Sequence, residues 1–117
     1  MHSMEQLVQE ARRLSDLLDK GVQALRSSAI DYAEAEHNYR HQHAVAYLQT
    51  EGTVAEREAQ TYVAMGELRR DRDIADGIRS AALEAVRARR TQLSALQSLL
   101  AAHRSEADFA RTGPATN

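Results

Sequence analysis

The sequence predicts an all-α protein: a long antiparallel helical hairpin that assembles into an oligomeric coiled-coil bundle. Two helix-start motifs, Ser3-Met4-Glu5-Gln6 and Thr53-Val54-Ala55-Glu56, divide the chain about in half. Each can form a capping box, in which the hydroxyl takes the amide three residues on and the Gln or Glu reaches back to the cap's own amide. Apolar residues recur at alternating four- and three-residue steps through both halves, as in a coiled coil. Hydrophobic residues make up 43% of the 117, but much of that is alanine and aromatics are only 4%. Such side chains bury little area against the entropy of ordering the chain, so the bundle is expected to be completed by other copies. The predicted organisation is one domain over residues 1–112, with helix 1 over 4–50, a turn at 51–53, helix 2 over 54–111 and a disordered tail at 113–117.

Helix 1 carries its spacing through Met4, Leu7, Ala11, Leu14, Leu18, Gly21, Leu25, Ser28, Tyr32, Ala35, Tyr39, Gln42 and Ala46. Gly21, Ser28 and Gln42 weaken that seam. An interior glycine costs about 1 kcal/mol relative to alanine, so a kink or break is predicted near Gly21. The turn follows, with Gly52 at a helix C-terminus, where a residue without Cβ enters the left-handed region freely.

Helix 2 runs until Gly113-Pro114, which cannot continue it. Its second half repeats alanine every seven residues at Ala81, Ala88, Ala95 and Ala102, alternating with Ile78, Ala85, Gln92 and Leu99. A second apolar stripe lies beside this one at Ala75, Ala82, Val86, Leu93, Leu96 and Leu100. Two stripes are wider than a two-stranded pair covers, so one face is assigned to helix 1 and one to another subunit. The predicted oligomer interface is Ala88, Leu93, Ala95, Leu96, Leu99 and Leu100. Gly66 and Gly77 fall on roughly the side of the alanine ladder and are read as points of close helix packing.

The chain has no cysteine, which removes disulfides, thiolate nucleophiles and thiolate metal sites. No apolar run approaches the roughly 20 residues of a membrane span, so the expectation is a soluble protein in the bacterial cytoplasm with no membrane partner. Net charge is −2, so an anionic partner would have to be met by a local patch. Lys20 is the only lysine beside many arginines. A GC-rich genome accounts for that bias, and arginine suits bidentate phosphate or carboxylate binding whatever its origin.

His37 and His41 share a helix face, and Glu34 precedes His37 at the spacing of di-iron bundle helices. No second such motif and no HExxH accompanies them, so they and His43 are read as surface or interface residues, with no metal and no cofactor expected. No nucleophile elbow, P-loop, dinucleotide fingerprint or paired-carboxylate motif is present, and the expectation is a protein that is not an enzyme. Tyr32, Tyr39 and Tyr47 mark one broad side of helix 1, and Tyr62 opens helix 2. Their rings either fill the seam or stack on unpaired bases. Arg72, Arg79, Arg90 and Arg104 project within a narrow sector of helix 2, with Arg69 and Arg87 at its edge. Two readings stay open for that sector: interhelical salt bridges with Glu10, Asp16, Glu34 or Glu36, or a phosphate-tracking stripe that also holds Asp76 and Asp108.

The stretch from Glu34 to Gly113, with Tyr47-Leu48-Gln49-Thr50-Glu51-Gly52-Thr53-Val54-Ala55-Glu56-Arg57-Glu58-Ala59 and Arg89-Arg90-Thr91-Gln92-Leu93-Ser94-Ala95-Leu96-Gln97-Ser98-Leu99, resembles small helical proteins of actinobacterial phages and prophages. Val86-Arg87-Ala88-Arg89-Arg90 is similar in part to the basic motif of the UvsY recombination mediator family, although the Asp-Tyr that follows there is absent. The WXG100 class of helical hairpins has the length but requires a Trp-x-Gly turn, where this chain has Thr50-Glu51-Gly52-Thr53. The resemblance implies a non-enzymatic, oligomeric phage accessory protein in DNA recombination; joined with the arginine sector read from helix periodicity, the expectation is one that binds single-stranded DNA weakly through Arg69, Arg72, Arg79, Arg87, Arg90 and Arg104. The alternative is a structural or adaptor coiled coil that binds a host or phage protein and no nucleic acid.

Overall fold

A computed structural model describes residues 3–113. Among the described residues the chain is helical throughout, with three helices: α1 Met4–Gln49, α2 Val54–Ala64 and α3 Gly66–Thr112. The long helical hairpin read from the sequence is the observed fold. Ser3 starts α1 as a full capping box: its hydroxyl accepts from the Gln6 amide at 3.1 Å, and its own amide donates to Gln6 Oε1 at 2.8 Å. At the turn Thr53 is the N-cap of α2, accepting from the Glu56 amide at 3.2 Å. Gly52 adopts φ 119°. A Cβ there would lie 2.6 Å from Glu56 Oε2, the movable end of an exposed side chain, so it is the backbone conformation that reserves the position for glycine.

Two details of the helices depart from the expectation. α1 runs unbroken through Gly21. Val86, 1% exposed, sits against this glycine, with its Cγ2 3.4 Å from where a Cβ would be, so packing compensates the weak helix former. The second half of the hairpin is interrupted instead at Met65, with φ −92° and ψ 8°. Its amide donates to the Thr61 carbonyl and its carbonyl accepts from Arg69, so the chain misses one helical residue without losing its hydrogen bonds. Met65 and Thr61 are both buried at this point. α3 ends at Thr112, where Gly113 at φ 66° donates its amide to the Phe109 carbonyl, an αL cap. Of the tail assigned to 113–117, residues 114–117 lie outside the described residues.

The chain divides into two compact units. The first joins the residues up to Val22 with those from Glu84 onward. Its core is Leu7 and Leu14 of α1 against Leu96 and Leu100 of α3, with Met4, Val8, Ala11 and Leu93 packed around them. The stripe that packs on α1 is therefore the one carrying Val86, Leu93, Leu96 and Leu100. In this unit Ala85, Ala88, Gln92, Ala95, Leu99 and Ala102 are exposed. The second unit, Gln23–Leu83, contains the turn and the Met65 break. Here Ile74, Ile78 and Ala81 are exposed, and Gly77 has nothing within 4 Å of a built Cβ. A Cβ at Gly66 would meet only Arg69 Nη2, at 3.9 Å, so the close packing read at Gly66 and Gly77 is not made among the described residues.

Candidate functional site

The tyrosines and arginines singled out in the sequence meet one another in the second unit. Tyr32 and Tyr39 lie two turns apart on α1, and Arg72 and Arg79 lie two turns apart on α3. In an antiparallel register each arginine therefore reaches one ring. Arg79 sits 4.9 Å from the Tyr32 centroid and Arg72 sits 4.2 Å from that of Tyr39. Both separations are within the range of a cation–π contact. A carboxylate partners each guanidinium, although Arg79 Nε stays buried without a hydrogen bond. Arg72 donates to Asp73 at 3.1 Å and lies 3.8 Å from Glu36 of α1, while Arg79 donates to Asp76 at 2.7 Å. The Asp73 bond holds the Arg72 pKa above its ordinary value against the opposing effect of desolvation. The salt-bridge reading is thus realised for Arg72 with Glu36, and Asp76 serves its own helix.

Two further pairs stand at the helix ends. Arg57 of α2 lies 4.2 Å over the Tyr47 ring and donates to the Tyr47 carbonyl at 2.9 Å. Arg69 of α3 lies 3.7 Å over the Tyr62 ring and donates to the Tyr62 carbonyl at 3.1 Å. Tyr47 is in the last turn of α1 and Tyr62 in the last turn of α2. Each arginine thus supplies a cation and a donor to a helix C-terminus, whose last carbonyls lack helical partners. Arg57 was not singled out in the sequence. Its signal there is an arginine shortly after a turn that follows a tyrosine, a pattern too short to stand out.

The remaining arginines of the stripe lie in the first unit. Arg87 pairs with Glu84 one turn back at 2.8 Å, while Arg90 and Arg104 are exposed. Arg104 borders an open groove with Arg12, whose floor is Val8, Ala11, Leu93 and Leu100. The six arginines therefore do not act as one row: Arg69, Arg72 and Arg79 hold the second unit's own tyrosines, and Arg87, Arg90 and Arg104 belong to the first. The predicted interface also splits. Leu96 and Leu100 are buried in the hairpin core and Leu93 packs beside them, whereas Ala88, Ala95 and Leu99 face solvent.

The His37 and His41 rings stack with centroids 6.3 Å apart, and His43 packs on Tyr39 at 5.9 Å. Among the described residues no three His, Cys, Asp or Glu side chains converge as a metal site, and no helix is long and apolar enough to cross a membrane. No protein-family model, curated protein or solved structure matches the chain.

Proposed function

We propose that this chain is a non-enzymatic, self-assembling helical adaptor, of the phage accessory type that its sequence resembles, acting through protein contacts rather than nucleic acid. The observation that carries this reading is the mutual pairing of the residues that would serve as DNA ligands. Binding a single strand needs open ring faces on which bases stack and a basic groove that follows the phosphates. A guanidinium lies over each of Tyr32, Tyr39, Tyr47 and Tyr62, and Asp73, Asp76 and Glu84 partner Arg72, Arg79 and Arg87. On the covered face of each ring a base would have to displace a guanidinium, and at Arg72, Arg79 and Arg87 a phosphate would compete with a carboxylate at hydrogen-bond distance. Exposed apolar side chains on α3 meanwhile provide a surface of the kind that binds protein.

A recombination mediator is the second reading, favoured by the exposure of Arg90 and Arg104. Fluorescence anisotropy of an unstructured oligonucleotide, with light scattering on the protein alone, tests the two against each other. The adaptor reading expects a mass above the monomer's 13.0 kDa and no saturable DNA binding even at low salt. The mediator reading expects binding that falls with salt at a log–log slope of about −0.7 per phosphate and flattens in Arg90→Gln/Arg104→Gln. Saturable binding with that slope overturns the adaptor reading.

A further inference from the structure

We infer that the groove between α1 and α3 in the second unit docks a basic amphipathic helix of a partner protein; this rests on the adaptor reading and names the surface and the chemistry of its partner. Two hollows make up the groove. One is lined by Ile74, Ala75 and Ile78 together with Asp31 and Asp71, the other by Ala35 and Leu68 together with Asp31, Glu34 and Asp71. Asp31 and Asp71 border both, so the hollows run together into one trough, and all of these residues belong to the second unit. From Leu68 to Ile78 its α3 wall extends roughly 15 Å at 1.5 Å per residue, room for about three turns of a helix laid alongside. Ile74 and Ile78 stand one turn apart on that wall and are 46% and 58% exposed.

Charge chooses the occupant. Asp31, Glu34 and Asp71 are exposed, and none of them has an ion-pair partner among the described residues. Glu67 and Arg70, one turn before Asp71 and Ile74, offset each other and leave the three lining carboxylates unbalanced. Such a face repels phosphates and anionic lipid and attracts cationic side chains. Pairing it with the same face of a second copy would bring carboxylates to carboxylates. A helix with apolar residues at three- and four-residue spacing meets both features at once: its apolar stripe covers the isoleucines, and lysines or arginines beside the stripe reach the rims on α1 and α3.

Fluorescence anisotropy with two labelled synthetic peptides tests this on the full chain. Each peptide is about four helical turns long with leucines at three- and four-residue spacing, flanked in one by lysines and in the other by glutamates. The lysine peptide should bind saturably and more weakly as salt is added, and the glutamate peptide should not bind. Asp31→Asn/Glu34→Gln/Asp71→Asn should weaken the lysine peptide severalfold, and so should Ile74→Ser/Ile78→Ser, both with unchanged helicity because all five side chains are exposed. Asp31→Lys/Glu34→Lys/Asp71→Lys should bind the glutamate peptide instead. Equal binding of the two peptides by the parent overturns the inference, as does lysine-peptide binding that survives the neutral triple variant, or no binding of the lysine peptide at low salt. A neutral triple variant that loses self-association on light scattering would place a second copy in the trough and overturn it too. None of these results removes the adaptor reading, which falls only to the saturable, salt-dependent oligonucleotide binding described above.

Discussion

Gly52 and Thr53 together set where the hairpin turns, by different means. Thr53 contributes one hydrogen bond to an amide that α2 cannot satisfy itself, so Thr53→Ala is expected to cost about 1 kcal/mol. Gly52→Val meets a positive φ and the Glu56 carboxylate at once, and the strain alone is of order 1–3 kcal/mol. Denaturant midpoints measure both, and Gly52→Val should show the larger drop. Arg57 acts on the other side of the same turn. Its guanidinium covers the Tyr47 ring and holds the Tyr47 carbonyl, and Arg57→Lys keeps the charge while losing the planar group that does both. We expect Arg57→Lys to lower the midpoint nearly as far as Arg57→Ala; full retention of stability would show that charge alone matters there.

At the level of elements, the sequence was legible wherever local chemistry decides the structure. The Ser3 and Thr53 caps, the left-handed Gly52 and the Gly113 stop all depend on residues within a few positions of one another. What was not legible depends on a neighbour across the hairpin. Gly21 reads as a break in isolation, but Val86 packs on it and α1 continues. Met65, an ordinary helix former, carries the interruption instead. Of the two apolar stripes on α3, nothing in their spacing says which one α1 would take; burial of Leu96 and Leu100 does. The arginine sector was placed by periodicity, but that Arg72 and Arg79 would lie over tyrosines of α1 requires the antiparallel register. Gly77 provides a test of helix propensity with no packing to compensate. Nothing lies within 4 Å of a Cβ built there, so Gly77→Ala should raise the midpoint by up to about 1 kcal/mol, less any loss on assembly if a second copy approaches at that point. Far-UV circular dichroism during denaturation measures it.

For the molecule as a whole, the buried and exposed stripes of α3 separate folding from assembly, and two leucines three residues apart distinguish them. Leu96 is 7% exposed and packs with Leu7, Leu14 and Leu100, so Leu96→Arg must desolvate a charge inside the hairpin. It should lose cooperative unfolding or a large part of the helical signal at any protein concentration. Leu99 is half exposed in a single copy and borders an open groove with Gln6, Leu7 and Glu10, so Leu99→Arg can hold its charge in solvent outside that core while disturbing a face a second copy would cover. It should retain helicity at high concentration yet sediment as a smaller species. A binding equilibrium between folded copies raises the unfolding midpoint with concentration. The parent's midpoint should therefore climb across a hundredfold change in concentration, and that of Leu99→Arg should climb less or not at all. With so few large side chains in the first unit's core, the contribution of the second copy should be a substantial part of the total stability. A parent midpoint independent of concentration, with Leu99→Arg indistinguishable from it, would mean that the hairpin stands alone and that its exposed stripe does not support self-assembly.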